Sequence, residues 1–500
     1  MPLVIRARHP SRVYLESFSE KDLEAARSFL TYHDRSADFQ YKKFRHARWF
    51  LNKYGDEAFQ EELAKRKAAI KQCILQQEDG EHYTYSGLAS YLHERFKEHE
   101  VESRVAYPEP HPIPWKNLPP PLRDYQAESI GLLLESRHAA VELSTGLGKS
   151  LIIFNLLRGL GLKTVVMAPL ESIASQLYRE LVHLLGEKYV GFYGSGKHVS
   201  KKLITVGIHA SLTRIEPESK AWEELSEAEV LICDESHMTP ASSLEKVCMG
   251  ICAKAPYRFF LSATQLRGDG AELVLKGITG PIVKSVDFKQ GVDMGYLARP
   301  HFRMVKVASN STLYPEDSNA MTREHLYYNP AVNKKAAQIA NMAVKNGLGP
   351  VLILVQEVEQ FTMLLPHLLH KTAFAHGGLT KDNKGKVPVA YHDSDATELV
   401  KQFNAGEIPI LVGTSCVSMG VDIRPVRTLI YLQGLSSEVK CKQSVGRGTR
   451  MPPGKTEFFL FDFMVETMWD QDEPTTPPCR HALDRLAYYR DLYPDVGVVN

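Results

Sequence analysis

One segment narrows the possible folds more than any other. The apolar run 139–143 leads into Ser144-Thr145-Gly146-Leu147-Gly148-Lys149-Ser150, and then into Leu151-Ile152-Ile153-Phe154-Asn155-Leu156-Leu157. The pattern predicts a buried strand, a glycine-rich turn and an apolar helix. Glycines let backbone N–H groups close around phosphates, and the helix N-terminus adds positive potential. Lys149 can reach the β- and γ-phosphates, and the Ser150 hydroxyl can hold Mg²⁺. ATP with Mg²⁺ is the expected ligand, cradled by Thr145, Gly146 and Gly148. Leu143 stands where the usual phosphate-loop pattern has glycine. A second cluster, Gly194-Ser195-Gly196-Lys197, is followed by His198 and no apolar helix, so it reads as a surface loop.

From residue 122 onward, short apolar runs alternate with stretches of helical spacing. The runs are 139–143, 164–168, 230–233 and 259–261, then 351–355, 410–412, 429–432 and 458–461. Such alternation predicts parallel strands with crossover helices. Between about 285 and 335 the chain is polar and carries Gly291, Gly295 and Pro300. The series is expected to break there, with a second α/β unit starting near 296. Residues 108–121 hold seven prolines in fourteen positions, which forbids helix and disfavours sheet interior. The segment 106–121 therefore reads as a semi-rigid linker after a domain of residues 1–105. The expected organisation is 1–105, the linker, 122–295 and 296–500.

A chain of 500 residues with 44% apolar and 24% charged residues is of ordinary globular composition, which excludes fibrous and disordered classes. A formal net charge of +1 advertises no nucleic-acid partner globally, so any basic surface is local. Seven cysteines without paired spacing favour reduced thiols in a cytoplasmic protein over disulfides or structural zinc. Cys248 and Cys252, four apart in an apolar helical pattern, are expected to be buried. No apolar signal core or membrane span is apparent.

The run 230–233 ends in Asp234-Glu235-Ser236-His237. Two acids leaving a buried strand are costly to bury unpaired. At the carboxyl edge beside a phosphate loop, Asp234 can bind Mg²⁺, and Glu235 can orient and deprotonate an attacking water. His237 either links this site to the other lobe or merely packs.

Taken together, these residues resemble superfamily 2 helicases, and the series continues in order over 122–465. Arg123-Asp124-Tyr125-Gln126 resembles the element that reads adenine. Ala168-Pro169-Leu170-Glu171 with Gln176, and then Ser211, resemble contacts to a nucleic-acid strand. Ser262-Ala263-Thr264 resembles the motif coupling ATP to nucleic acid, and its extension through Arg267-Gly268-Asp269-Gly270 is similar to DNA-directed members such as the XPB and phage UvsW groups. Gly413-Thr414 with Gly420-Val421-Asp422, and Gln443-Ser444-Val445-Gly446-Arg447-Gly448-Thr449-Arg450, resemble the two motifs of the second lobe. The sequence Asp-Glu-Ser-His departs from the DEAD-box and DEAH-box groups. The resemblance implies two RecA-like lobes with ATP between them. It implies catalytic roles for Lys149, Asp234, Glu235, Gln443, Arg447 and Arg450, and nucleotide contacts at Gly420 and Asp422. Thr414 would touch the nucleic acid, while Ser262, Thr264 and His237 would couple the two ligands.

Residues 1–105 lack ATPase signals. Val13-Tyr14-Leu15 predicts a strand and 23–30 a helix. Between Phe39 and Phe50, four basic residues (Lys42, Lys43, Arg45, Arg48) interleave with five aromatics, Trp49 among them. Such a stretch can grip phosphates and stack on bases, or its aromatics can be core under a solvated face; both readings stand. The layout is similar to the phage UvsW-type group, which implies a monomeric motor, active in an infected or bacterial cytoplasm, that regresses forks, migrates Holliday junctions or anneals strands. A duplex translocase or RNA helicase without branch preference, and an ATP-switched origin- or junction-binding protein, are the alternatives. Beyond 465, Cys479 and His481 lack further ligands for a metal, and Tyr488-Tyr489-Arg490 is expected to pack in a helix.

Overall fold

The computed structural model describes residues 4–239, 241–263, 272–392, 395–414, 417, 423, 426–434, 441, 444–446, 448–452, 454–470, 473 and 475–499, apart from the side chain of His237. The chain forms two compact units, residues 1–143 with 148–285 and residues 144–147 with 286–500.

The first unit opens with a five-stranded sheet in the order Gln76–Glu78, Glu81–Tyr85, Arg12–Glu16, Val4–His9, Glu100–Ser103. The expected strand lies within Arg12–Glu16, where Val13 and Leu15 point inward. The expected helix is Glu20–Phe29, capped by Ser19, whose hydroxyl accepts from Asp22 N at 3.2 Å. Its buried Leu23 and Ala26 join an apolar cluster that runs on through Tyr85 and Leu88 to Leu275 and Ile278. The small sheet therefore shares its core with the rest of the unit.

Hydrogen bonds and a close glycine seam fix that docking. Tyr85 donates to Glu245 Oε1 at 2.6 Å. Ser86 Oγ lies 3.3 Å from His138 Nδ1, and His138 Nε2 lies 2.8 Å from Ile278 O; burial drives this imidazole down to about 3, so it is neutral. The turn Ser86–Leu88 meets the helix Glu272–Thr279 through glycines. A Cβ on Gly87 would sit 2.5 Å from Gly277 O, and one on Gly277 would sit 2.5 Å from Tyr85 Cδ2. Gly87→Ala is expected to destabilise this seam by about 1–3 kcal/mol. Limited proteolysis checks it: residues 1–105 should be cut faster in the variant than in the wild type.

The proline segment differs from the expected spacer. Its alternate non-proline residues keep their N–H groups and use them to dock: His111 N donates to Leu160 O (2.7 Å), Ile113 N to Arg158 O (3.0 Å) and Lys116 N to Leu184 O (2.8 Å). Gly161 carries no side chain because a Cβ there would lie 1.7 Å from His111 O. Tyr107 packs on Tyr257 at 5.3 Å, with the Arg137 guanidinium 4.3 Å above its ring. The segment is a strap laid along the first unit.

Behind it lies an eight-stranded sheet among the described residues, ordered Lys197–His198, Val190–Gly194, Ile204–Ile208, Thr164–Ala168, Val230–Asp234, Tyr257–Ser262, His138–Leu143, Ile282–Val286. The central strands are parallel. All four expected runs are strands here, and Gly194-Ser195-Gly196-Lys197 forms a hairpin turn. Cys233, Cys248 and Cys252 are free and buried. Beside them the buried Arg258 guanidinium donates to Cys248 O (2.6 Å) and Cys252 O (2.9 Å).

The second unit carries, among the described residues, a seven-stranded sheet ordered Thr372–Ala375, Ile410–Gly413, Val351–Leu354, Thr428–Tyr431, Glu457–Glu466, Arg299–Ala308, Val496–Val499. The expected break between 285 and 335 is corrected by Arg299–Ala308, which pairs with Glu457–Glu466 over its whole length. Its sequence alternates, burying Pro300, Phe302 and Met304 between half-exposed polar residues, so it lacks the continuous apolar signature of its neighbours. The end of the chain is also structural. The helix Pro477–Leu492 sets Arg485 against Asp462 at 2.7 and 2.9 Å, and Tyr489 donates to the same carboxylate at 2.9 Å. Tyr489 stacks on Phe302 at 4.9 Å, as the packing expectation required.

Candidate active site

Three neighbouring strands of the first unit deliver the site at their carboxyl ends. His138–Leu143 and Val230–Asp234 flank Tyr257–Ser262, with Asp234 opposite Leu261 and Ser262 opposite Glu142. Gly146 (φ 94°) and Gly148 (φ 78°) take left-handed backbone in the turn, a conformation costly for other residues. Gly148 caps the helix Lys149–Leu160, which places Lys149 in its first turn and Ser150, half-buried, behind it. The Lys149 ammonium is buried; it donates to Leu143 O at 3.2 Å and pairs with Glu235 Oε1 at 3.0 Å. The absence of glycine at 143 has a simple reason: the Leu143 side chain is fully buried and only its carbonyl serves the loop.

Asp234 ends its strand, and its Oδ1 accepts from Glu235 N at 3.0 Å. Glu235 sits at φ 48°, ψ 48°, a strained conformation for a residue with a side chain. Burial, then the neighbouring Glu235 charge, push the Asp234 carboxyl up to about 7, against the pull of Lys149. Gln126 is buried over the turn. Its side-chain oxygen accepts from Arg123 N (2.9 Å), its amide donates to Gly148 O (3.3 Å), and a Cβ on Gly148 would lie 2.6 Å from that amide. The expected adenine-reading residue is thus fastened to the phosphate loop itself.

Residues 120–267 match the model of the type III restriction enzyme res subunit, and residues 334–452 match that of the helicase conserved C-terminal domain. The chain belongs to the superfamily 2 helicases. It is 24% identical to the DNA 3'-5' translocase XPB2 of Sulfurisphaera tokodaii over 73% of this chain and 86% of that one. It is 22% identical to the ATP-dependent DNA helicase uvsW of Enterobacteria phage T4 over 73% of this chain and 74% of that one. Among solved structures, a fragment of a putative HsdR subunit of a type I restriction enzyme from Vibrio vulnificus superposes on 77% of this chain and 69% of that one, with a TM-score of 0.51 at 16% identity. The helicase is thus an ATP-hydrolysing enzyme whose two motif-bearing lobes are both present.

Elsewhere in the helicase, Pro169 follows the strand Thr164–Ala168, and Ser211 lies in the short helix His209–Leu212 after the adjacent strand Ile204–Ile208. His209 Nδ1 lies 2.8 Å from Pro169 O and ties the two loops together. That histidine escaped the sequence reading because its strand, Ile-Thr-Val-Gly-Ile, was not recognised. Gln176 is half-buried and donates to Glu180 at 2.9 Å, so it is engaged within its own helix. Ser262 is buried at its strand end. In the second unit, Thr414 is buried at the end of Ile410–Gly413, and its N–H donates to Ala375 O at 3.1 Å. Beside it, His376 holds Gly378 N at 3.2 Å, a loop the sequence reading also passed over. Arg450 is half-buried. Thr264, Arg267, Gly420, Asp422, Gln443, Arg447 and the side chain of His237 lie outside the described residues. No helix among the described residues is long and apolar enough to cross a membrane.

The basic–aromatic stretch of the N-terminal sheet domain is partly buried and partly exposed. It spans the helix Arg35–Phe44 and the start of Arg48–Ala68. Phe44 is buried, stacked on Phe59 at 5.2 Å under the Arg66 guanidinium. Phe39 and Trp49 are 63% and 65% exposed, and Lys43, Arg45 and Arg48 are exposed around them. Lys42 pairs with Asp38 at 2.8 Å.

The raised Asp234 carboxyl has a consequence for pH. Its folded value, about 7, lies above the ordinary carboxylate value of about 4. The stability this group lends the ligand-free chain is present below pH 4 and lost as pH rises through 7. A cation held at Asp234 would relieve that cost. The rise in melting temperature on adding Mg²⁺ with a non-hydrolysable ATP analogue is therefore expected to be larger at pH 8 than at pH 6; thermal shift assays at the two values check it.

Proposed function

We propose that this helicase is an ATP-driven DNA motor that remodels branched DNA by fork regression, junction branch migration or strand annealing. The observation that carries the motor reading is the pair of buried Lys149 with half-buried Glu235 at 3.0 Å beside a buried Asp234, at the mouth of a glycine turn in left-handed backbone. These residues fit a magnesium nucleotide: an ammonium already held in place, a carboxylate whose charge is uncompensated enough to raise its proton affinity, and a turn with no Cβ at two positions. Thr145, Gly146 and Gly148 would offer backbone N–H groups to phosphate, with Lys149 on its terminal oxygens. Ser150 and Asp234 would hold Mg²⁺, which supplies charge neutralisation when bound. Glu235 would orient and accept a proton from water once Lys149 turns toward phosphate. Arg123 and Gln126 would face the adenine. By the family resemblance, the second unit would contribute Gly420, Asp422, Gln443 and the guanidiniums of Arg447 and Arg450, whose planar geometry suits phosphate oxygens. Ser262, Thr264 and His237 would couple this site to nucleic acid.

DNA would be held by Pro169, Gln176, Ser211 and Thr414, largely through phosphates and so with strong salt dependence. The branched-substrate part rests on the exposed Phe39 and Trp49 among Lys42, Lys43, Arg45 and Arg48, a surface suited to stacking on unpaired bases while gripping phosphates. Its docking on the first unit would hold one DNA arm against the motor. Similarity to the ATP-dependent DNA helicase uvsW supports a DNA helicase; similarity to the DNA 3'-5' translocase XPB2 favours translocation without branch preference as the second reading.

ATP turnover measured with four-way junctions, forks, tailed duplex, plain duplex and RNA separates these. Junctions and forks are expected to stimulate most. Equal stimulation by plain duplex would favour the translocase, and stimulation by RNA alone would remove the DNA assignment. Trp49→Ala combined with Arg48→Ala is expected to weaken fork binding about tenfold, since one stacked base contributes about 1–3 kcal/mol, with ATP turnover on single-stranded DNA unchanged.

A further inference from the structure

Just beyond the arginine motif, the second unit buries a lysine. Lys455 is 3% exposed, and among the described residues only Lys149 is a comparably buried lysine. Its ammonium donates to Gly448 O and lies 5.6 Å from the centre of the Phe458 ring. Among the described residues no carboxylate pairs with it; the charges that face it are Arg427 and Arg450. Burying an unpaired ammonium costs several kcal/mol, and a methionine would fill the same space without that cost. The compensating feature is where the lysine points. Gly448 directly follows Arg447, and its carbonyl lies at the end of a helical turn in which Thr449 N bonds Val445 O at 3.1 Å. A cation or donor is favoured at such an end.

The rest of the surroundings holds the same turn. A Cβ on Gly448 would lie 1.8 Å from Cε2 of the Phe458 ring, so the glycine backbone packs directly against that ring. Thr449 O accepts from Ala298 N at 2.8 Å. Arg427 donates to Gly454 O at 2.8 Å and fixes the loop that presents Lys455. Ring below, amine on the carbonyl and strand at the side form a bracket around Gly448 and Thr449.

We infer that Lys455 is a positioning residue for the arginines of this motif: by tying down the Gly448 carbonyl, with Phe458 packed against it, it fixes the backbone that carries Arg450. This rests on the reading above that those arginines act on ATP. Burial, with Arg427 and Arg450 nearby, also lowers the proton affinity of the amine to about 7, so it is a weaker cation and a retained hydrogen-bond donor.

The test uses the full chain with Lys455→Met, Phe458→Leu and Arg450→Ala, measuring DNA-stimulated kcat, KM for ATP and melting temperature. Lys455→Met is expected to lower kcat about tenfold or more, because misaligned groups cost turnover steeply, with KM within about threefold. Phe458→Leu loosens the same bracket while leaving the lysine in place. It is expected to lower kcat about threefold with KM steady, and it decides the matter if Lys455→Met does not fold. Wild-type kcat in both bracket variants, or a rise in KM with kcat unchanged, overturns the inference. A slow Arg450→Ala alongside normal bracket variants overturns this inference alone; a normal Arg450→Ala removes the arginine reading and this inference with it.

Discussion

Lys149→Ala is expected to reduce ATP turnover about a thousandfold or more, the scale on which removal of one preorganised charge-stabilising group acts, while DNA binding falls less than about threefold. The reasoning starts from the ligand-free geometry. Lys149 is the one cation paired with Glu235 among the described residues. Its removal takes away the charge meant for the phosphates and also leaves two adjacent acids at a buried strand end. Lys149→Arg is expected to fail nearly as badly, because a planar fork cannot occupy the slot in which a compact ammonium reaches both Leu143 O and Glu235. Phosphate release assays with saturating DNA, beside fluorescence anisotropy of labelled DNA, check both halves. Normal turnover in Lys149→Ala would withdraw the phosphate-loop assignment.

The second large effect lies in the second unit. Arg485→Leu is expected to destabilise the second unit by about 3–5 kcal/mol, because Asp462 is then a charge buried without its partner. Both side chains are 1% exposed, and the pair is bidentate at 2.7 and 2.9 Å. For a unit of this size the loss corresponds to a fall in melting temperature of roughly 10 °C. The double variant Asp462→Leu with Arg485→Leu is expected to recover much of it, since neither charge then remains. Calorimetry resolves the units, and the transition of the first should stay in place. A single variant as stable as the wild type would mean the C-terminal helix contributes no more than surface packing.

Much of this architecture was legible because buried parallel strands write themselves as unbroken apolar runs. Val-Leu-Ile-Cys at 230–233 and Val-Leu-Ile-Leu at 351–354 needed no context. Arg299–Ala308 did not read that way, since its neighbours cover it unevenly and its polar residues alternate with buried ones. The proline strap misled for a different reason: proline density forbids regular structure, yet it leaves alternate N–H groups free to bond a neighbouring element, and composition does not show which. At the site, the loop, the acids and Gln126 were legible as a linear order of residue types. The Lys149–Glu235 pair depends on a distance between residues far apart in sequence, the left-handed Glu235 on backbone torsion, and the Lys455 bracket on how a loop turns back onto Gly448. For residues 39–50 composition did not show which aromatics are buried: Phe44 packs on Phe59 and Trp49 is exposed, a division fixed by which helix face meets Phe59.

The central claim is that hydrolysis at Lys149, Asp234 and Glu235 drives movement on branched DNA. Its most direct test is the conversion of a synthetic four-way junction into its paired arms, followed on native gels for the wild type and for Glu235→Gln with ATP and Mg²⁺. The wild type is expected to resolve the junction faster than a simple tailed duplex, and Glu235→Gln is expected to bind both but convert neither. Equal conversion by the two proteins, or conversion without ATP, would contradict it.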